Sequence, residues 1–219
     1  TAIAFFMLTG ELMTSATITD RLVALSRALI GRIRGGLAQV NVLVSMFFAG
    51  MNGSVVADTA TVGALVLPAM KKAGYPAAFS AAVTGVSSTI GGIIPPSIMM
   101  IVLANATEIS IAALFAAGII PGILIGVVIM VINHYFAVKY NFERSDEPFS
   151  VRRAGKELYR SSFALLIPLV LVGSVMGGVA SDVEAGAITA LVALFTGVFV
   201  YRTIKWNDCT GAFRRAFRN

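Results

Sequence analysis

Charged residues are scarce in this chain of 219 residues, where Asp, Glu, Lys and Arg together make up 13% of the sequence. A soluble domain of this size carries about 25% charged residues. The mean hydropathy is +0.86, and the apolar runs are long and lack the alternation of β-strands. These features predict an all-α integral membrane protein, because helices satisfy their own backbone hydrogen bonds in lipid.

Cysteine and histidine are nearly absent, with Cys209 and His134 the only examples. A single cysteine excludes an internal disulfide. A serine-type intramembrane protease needs a histidine beside its serine, but His134 is predicted near the membrane interface at a helix end. An aspartyl type needs two facing aspartates at membrane depth, and only Asp58 is predicted there. An enzyme is therefore disfavoured, whereas a channel or a structural membrane subunit stays open as an alternative.

Basic residues are concentrated in a few places, namely 21–34, 71–72, 139–160 and 202–218. The positive-inside rule places all of them in the cytoplasm if the hairpin described below returns to its starting side. The segments 105–108 and 181–184 contain no Lys or Arg and fall on the opposite side. The net charge of +6 therefore reflects topology in a lipid bilayer, and no nucleic-acid partner is expected.

The chain divides into helical segments of a single transmembrane domain. In order, we predict the end of a spanning helix (1–17), an amphipathic surface helix (18–36), a re-entrant hairpin (37–72), a broken transmembrane helix (75–104), a spanning helix (109–138), a cytoplasmic loop (139–160), two further spanning helices (161–180 and 185–203) and a cytoplasmic tail (204–219). The chain starts at Thr1 inside an apolar run, which predicts a fragment.

The hairpin is predicted from a mismatch of length. Two apolar arms between Val40 and Met70 flank the polar tip Asn52-Gly53-Ser54, whereas two full spans and a turn need roughly 40 residues. We therefore expect the hairpin to enter and leave on the same side. Irregular backbone at membrane depth is tolerated only against protein or a watery cavity, so the tip is a candidate binding site.

The broken helix is predicted from Gly91, Gly92, Pro95 and Pro96, which lie within six residues. Each proline removes a backbone donor and costs about 3 kcal/mol in a helix interior. Freed carbonyls and hydroxyls bind hard cations such as Na⁺, and half-helix N-termini attract anions. We hypothesise a sodium site whose ligands come from both irregular points: Asn52, Gly53, Ser54, Ser88, Thr89, Gly91 and Gly92.

Two further predictions concern residues near this site. Ser97, at the start of the helix after the prolines, is expected to face an anionic substrate or to help close the ion shell. Asp58 is a functional candidate because an ionisable group at membrane depth is costly. It would contact ion or substrate, or pair with a helix end or an arginine. The alternative for the whole set is that Gly, Ser and Pro merely permit close helix packing and kinks.

Two runs of sequence resemble the large membrane subunit of TRAP transporters, the DctM family: FFAGMNGSVVADTATVGALVLPAMKKAGY and SSTIGGIIPPSIMMIVLA. The resemblance covers nearly the whole chain. Two positions differ, since Asn52 stands where the family usually has Ser, and Gly92 where it usually has Pro. The family's sodium and substrate regions match Gly50, Asn52, Gly53, Ser54, Ser87, Ser88, Thr89, Gly91, Pro95, Pro96 and Ser97.

The resemblance implies an elevator-type fold of the ion-transporter superfamily, built from inverted repeats. It implies a sodium-driven permease in the bacterial inner membrane that imports organic anions such as C4-dicarboxylates or sialic acid. The implied partners are a small four-helix membrane subunit and a periplasmic binding protein, with Na⁺ as coupling ion and no other cofactor. Only one hairpin and one broken helix are present, so we expect the N-terminal half of such a subunit. A related ion-coupled carboxylate transporter without a binding protein is the nearest alternative.

Overall fold

A computed structural model describes residues 2–15, 18–142 and 150–203, and these ranges are helical, with turns and no strand. The predicted all-α class is therefore confirmed for the described residues. The helices are α1 (Ala2–Ser15), α2 (Ile18–Ile30), α3 (Gly36–Asn52), α4 (Val55–Lys72), α5 (Ala77–Ser88), α6 (Ile98–Thr107), α7 (Ile111–Lys139), α8 (Val151–Met176) and α9 (Asp182–Phe195), with a 3-10 turn at Thr89–Gly92 and a π-helical end at Thr196–Val200.

Three helical segments are long and apolar enough to cross a membrane: Ile111–Lys139, Val151–Met176 and Val183–Val200. They overlap the spans predicted at 109–138, 161–180 and 185–203. Their outer surfaces are apolar, as shown by Ile120 and Leu169, whose side chains are 76% and 70% exposed. Such surfaces suit lipid, so the chain is a multi-pass membrane protein.

The loop predicted over 139–160 is wrong for residues 151–160, which form the first turns of α8. The Ser150 hydroxyl accepts a hydrogen bond from the Arg153 backbone N–H at 3.3 Å and so caps this helix. The charged residues that indicated a loop are good helix formers, and Arg160 pairs with Glu157 at 3.3 Å. Residues 143–149 of the predicted loop and 204–219 of the predicted tail lie outside the described residues.

The surface helix predicted over 18–36 is shorter, because α2 ends at Ile30. Its apolar face is buried at Leu22 and Leu25, and it packs against α3 and α8. Beyond the helix, the Gly31 N–H bonds to the Arg27 carbonyl at 2.9 Å and the chain turns toward α3. The position of α2 on the membrane surface stays a prediction.

Helix α3 lies at the centre of the fold. It packs against α2, α4, α5 and α7 and against the 3-10 turn, while α1 packs along α9. The α3 side chains Val40, Val44 and Phe48 are fully buried in the main core. Because α3 is also the first arm of the predicted hairpin, the hairpin is held from several sides.

Tyr201, just after the last helix, connects three parts of the chain. Its hydroxyl donates to the Arg160 carbonyl at 3.0 Å and accepts from the Ala164 N–H at 3.2 Å, both in α8. The guanidinium of Arg21 in α2 lies 4.0 Å from the centre of the Tyr201 ring. This tyrosine therefore joins α2 and α8 to the end of the last span.

Candidate functional site

The two arms α3 and α4 meet at Gly53 and Ser54. Gly53 has the left-handed conformation (φ 57°), which ends α3, and its N–H bonds to the Ala49 carbonyl at 3.3 Å. The Ser54 hydroxyl accepts from the Ala57 N–H at 3.4 Å and so caps α4. The tip therefore combines a helix C-terminus with a helix N-terminus. Asn52 is the last residue of α3, and its side chain lies outside the described part of the chain.

The segment from Ala77 to Thr107 is interrupted between α5 and α6. After the 3-10 turn, residues 93–97 are irregular, and the Pro95–Pro96 peptide bond is cis. The Ser97 hydroxyl donates to the Gly92 carbonyl at 2.9 Å and accepts from the Met100 N–H at 3.4 Å, which caps α6. The interruption includes Gly91, Gly92, Pro95 and Pro96, the residues from which it is predicted. Whether the segment spans the membrane stays a prediction.

The hairpin tip and this break are in direct contact. The Ile98 N–H donates to the Gly53 carbonyl at 3.4 Å. A Cβ atom on Gly53 would lie 2.9 Å from the Ser97 Cα, and one on Gly91 would lie 3.7 Å from the Ser54 carbonyl carbon. The fold thus brings Gly53 and Ser54 of the predicted site against Gly91 and Ser97.

Some predicted site residues have other contacts. The exposed Thr89 donates its hydroxyl proton to the Val86 carbonyl at 2.7 Å. Gly50 is a close-packing position, because a Cβ there would lie 3.4 Å from Pro168 Cβ and 3.6 Å from the Pro95 carbonyl oxygen. These contacts give Thr89 and Gly50 a structural role beside the site. The remaining predicted residues near the break are all at least partly buried: Ser87, Ser88, Gly92, Pro95 and Pro96.

A buried polar network lies behind the tip, and three of its members, Asn41, Ser45 and Thr84, are not predicted from the sequence. Asn41 donates to Thr84 Oγ1 at 2.7 Å and accepts from the Ser87 hydroxyl at 3.2 Å. Ser45 donates to Ser87 Oγ at 3.3 Å. The signal in the sequence was helical spacing, because Asn41 and Ser45 are four residues apart on one face of an apolar helix.

Asp58 lies next to this network, in the first turn of α4, with no exposed surface. The hydroxyls of Ser88 and Ser45 are close enough to interact with its carboxylate. Neither carboxylate oxygen, however, forms a hydrogen bond of normal geometry. The described residues hold no group of three His, Cys, Asp or Glu side chains that could bind a metal. Any ion here would be held by hydroxyls, carbonyls and one carboxylate, which suits a hard cation.

Helix α7 covers the break with a face of small residues. A Cβ on Gly118 would lie 2.5 Å from the Ile93 carbonyl oxygen, and one on Gly122 would lie 3.4 Å from the Ile94 backbone nitrogen. The irregular backbone is therefore shielded by protein on this side, as it would need to be at the predicted membrane depth.

In the described residues, three helices are long and apolar enough to cross a membrane, and two helix breaks pack against each other. This combination is typical of the discontinuous-helix membrane proteins that occur among secondary transporters. The family model "Tripartite ATP-independent periplasmic transporter, DctM component" matches residues 1–218. The chain therefore belongs to this family, which is a family of transporter permeases and not of enzymes.

Several curated relatives are similar to the chain. The C4-dicarboxylate TRAP transporter large permease protein DctM of Pseudomonas aeruginosa is 37% identical over 208 residues, which cover 95% of this chain and 48% of the relative. The sialic acid TRAP transporter large permease protein SiaM of Vibrio cholerae is 37% identical over 203 residues, with coverages of 93% and 47%. The 2,3-diketo-L-gulonate TRAP transporter large permease protein YiaN of Escherichia coli is 36% identical over 215 residues, with coverages of 96% and 50%. The chain spans about half the length of these relatives.

Proposed function

We propose that the chain is part of the large permease subunit of a sodium-coupled TRAP transporter that imports an organic anion across the bacterial inner membrane. The family match supports the class of transporter. The named substrates of the relatives, a C4-dicarboxylate, sialic acid and diketogulonate, support a carboxylate as the transported group. Its partners are a small four-helix membrane subunit and a periplasmic binding protein that delivers the substrate.

The observation that carries sodium coupling is the contact between the hairpin tip and the break. Gly53 bonds to Ile98, and Gly91 lies against Ser54, so two irregular backbones meet at one point. Oxygen ligands from such paired breaks are the usual means of holding Na⁺ within a transporter. Of the sodium ligands predicted from sequence, Gly53, Ser54 and Gly91 have the strongest support from this geometry.

The substrate carboxylate is proposed to lie near the helix N-termini at the same place. Helices α4 and α6 both begin there, capped by Ser54 and Ser97. The first backbone N–H groups of a helix have no partner within the helix and carry about half a positive charge. An anion is therefore stabilised at these ends without a buried lysine or arginine.

The test is uptake by the full-length permease reconstituted with both partners. A panel of radiolabelled organic acids is offered with an inward sodium gradient or with choline in its place. We expect saturable uptake of one acid or a few related acids that needs sodium and the binding protein. In Ser54→Ala and Gly91→Pro variants the sodium dependence is weakened or lost, whereas unchanged sodium dependence in both variants contradicts the proposed site.

The same assay separates the alternative classes. Equal uptake without the binding protein would favour a related carboxylate transporter that works alone. Flux that neither saturates nor depends on sodium would favour a channel.

A further inference from the structure

We propose that the basic end of the fold binds the headgroup of an anionic phospholipid, in a cavity between the end of α4 and the end of α7. The cavity has a volume of about 550 Å³. Its walls are formed by Lys72, Gly74 and Pro76 on one side and by Tyr140, Asn141 and Phe142 on the other. The inference needs only a membrane protein with this end at the headgroups, so it does not depend on sodium coupling.

Several basic side chains collect at this end of the molecule. Lys71 and Lys72 are in the last turn of α4, and Lys139 is in the last turn of α7. The loop 31–35, which carries two arginines, reaches the same end because it lies against Ala137 of α7. The positive-inside rule predicts that this end faces the cytoplasm, and the cytoplasmic leaflet attracts basic residues through its anionic lipids.

The charge of the lysines is not compensated by the helices that carry them. A helix C-terminus has about half a negative charge, so the ends of α4 and α7 together offset about one of the three lysine charges. The sequences of α4, α5 and α7 contain one acidic residue, Asp58, which is in the first turn of α4 and so at its far end. Among the described residues, no acidic side chain forms an ion pair with these lysines. A net positive charge therefore remains for an anion.

The walls of the cavity are closed helix ends. Gly74 (φ 78°) follows α4 and Asn141 (φ 51°) follows α7, both in the left-handed conformation. In each case the next residue donates its N–H to the carbonyl five positions earlier, at 3.1 Å after α4 and at 2.9 Å after α7. This is the Schellman arrangement, which satisfies the last carbonyls of a helix. The cavity is therefore formed before a ligand binds, which reduces the cost of ordering on binding.

Aromatic rings border the cavity and place it at headgroup depth. The Lys139 Nζ lies 5.7 Å from the centre of the Tyr140 ring and 5.9 Å from that of the Tyr135 ring. Because Tyr140 lines the cavity, Lys139 is at its rim. Phe142 packs against the buried Tyr75, with ring centres 4.7 Å apart. Tyrosine and lysine together at the end of a spanning helix are typical of the membrane interface.

An apolar stripe on α7 leads away from this rim, which favours a lipid over a soluble anion. Ile120, Leu124, Val131, Tyr135 and Val138 are 48–76% exposed and lie on one face of the helix. The stripe is about 27 Å long at 1.5 Å per residue, more than half of a hydrocarbon core of about 30 Å. An acyl chain therefore has an apolar track for its full length. A soluble anion would use the cavity alone.

The experiment compares lipids that share their acyl chains. The full-length permease is purified with its small subunit, and its Tm is followed as dioleoyl phosphatidylglycerol is added to the detergent micelles. Dioleoyl phosphatidylcholine controls for the acyl chains, and inorganic phosphate at matched ionic strength controls for the anion alone. We expect phosphatidylglycerol to reach half of its stabilisation at a mole fraction about tenfold lower than phosphatidylcholine. Phosphate should leave the Tm unchanged.

Matched variants assign the effect to the cavity. Replacing both lysines at the cavity, Lys72→Gln with Lys139→Gln, should raise the half-saturating mole fraction of phosphatidylglycerol about tenfold and leave the phosphatidylcholine response unchanged. Both side chains are exposed, so the variant still folds. Lys72→Arg with Lys139→Arg keeps the charge and should stay within about threefold of wild type. Lys156→Gln, an exposed lysine of α8 that does not line the cavity, should stay within about twofold.

Hydrogen–deuterium exchange locates the bound lipid. In wild type, phosphatidylglycerol should slow exchange in 73–80 and in 139–142 more than phosphatidylcholine does, and this difference should disappear in the double glutamine variant. The inference is overturned if phosphatidylcholine stabilises the protein as well as phosphatidylglycerol does, or if the double glutamine variant responds like wild type. Stabilisation by phosphate alone would show a soluble-anion site and would also overturn it. None of these outcomes changes the test of sodium-dependent uptake.

Discussion

The segment α3 to α6 and the segment α7 to α9 place their polar side chains differently. Among the described residues, nine buried polar side chains lie between 36 and 107, whereas four lie between 111 and 200. The long helices instead expose apolar side chains such as Val131, which is 64% exposed. Buried polar groups cost free energy unless they are paired. Part of that cost is offset in the first segment by hydrogen bonds among its own polar groups, such as those of Asn41 to Thr84 and Ser87, and the proposed site lies in the same segment.

Glycines serve different purposes in the two segments. Gly53 has a positive φ and lies against the backbone of Ser97 and Ile98, so no other residue fits without strain. Gly173 in α8 has open space where a Cβ would be. The fold at the hairpin tip therefore depends on glycine at this position, whereas α8 does not depend on glycine at 173.

The largest effect is expected from Gly53→Ala. The left-handed conformation costs about 1–2 kcal/mol for a residue with a Cβ, and the clash with backbone atoms adds to it, for a total of about 2–4 kcal/mol. Thermal unfolding of the full-length protein in detergent measures the loss. Gly173→Ala is the matched control and should be neutral or stabilising by up to about 1 kcal/mol. Equal destabilisation by both changes would contradict the distinction drawn between the segments.

The next effect concerns the face of α7 that covers the break. Gly118→Ala places a methyl group 2.5 Å from the Ile93 carbonyl oxygen, which is backbone and cannot move alone. We expect a destabilisation of about 1–3 kcal/mol. At Gly126 the nearest atom is the Met46 sulfur, also at 2.5 Å, at the flexible end of a side chain. Gly126→Ala should therefore cost less, and the reverse order of the two Tm values would contradict this packing.

A smaller effect is expected where two buried asparagines are compared. Asn41→Leu removes the hydrogen bonds to Thr84 and Ser87 and should cost about 1–3 kcal/mol, because two buried hydrogen bonds are lost. Asn133 lies in α7, and its buried amide nitrogen has no partner. Asn133→Leu should therefore be close to neutral. Chemical denaturation of both variants under the same conditions tests the difference, and similar midpoints would show that the network contributes little.

The smallest effect is expected from Tyr201→Phe. This change removes the hydrogen bonds to Arg160 and Ala164 and keeps the ring beneath Arg21. The loss should be about 1 kcal/mol, seen as a modest decrease in Tm. Sodium binding should stay as in wild type, because Tyr201 lies outside the proposed ion site. A change in sodium affinity would contradict this prediction, because it would show that Tyr201 influences the proposed ion site.

The sequence predicts both irregular points of the backbone, but on different grounds. The break follows from glycines and prolines, which act locally on the backbone, and the hairpin tip follows from polar residues between two apolar arms too short for two spans. The interruption at 89–97 and the turn at Gly53 and Ser54 lie at such residues. The partners of Asn41 and Ser45 were not predictable in this way, since a polar residue in an apolar helix does not reveal which helix packs against it. The start of α8 has the charge of a loop, but the same charged residues also have a high tendency to form helices, and the helix forms.

Thr89 shows a further limit of reading the sequence. Its position at the break predicted an ion ligand, but its hydroxyl bonds to the Val86 carbonyl one turn earlier, and the side chain is exposed. A threonine in a helix has this local partner available wherever it occurs. The type of residue therefore predicts the chemistry of the site, and only the packing decides which hydroxyls face it.

Hydrogen–deuterium exchange of the full-length permease tests the central claim, that the hairpin tip and the break form one sodium-binding unit. Backbone exchange is compared in NaCl and in choline chloride, residue by residue where peptides allow. We predict that sodium slows exchange in 50–58 and in 88–98 together, over the same concentration range, and leaves 111–139 unchanged. Protection of only one of these two segments, or equal protection throughout the long helices, would contradict the claim.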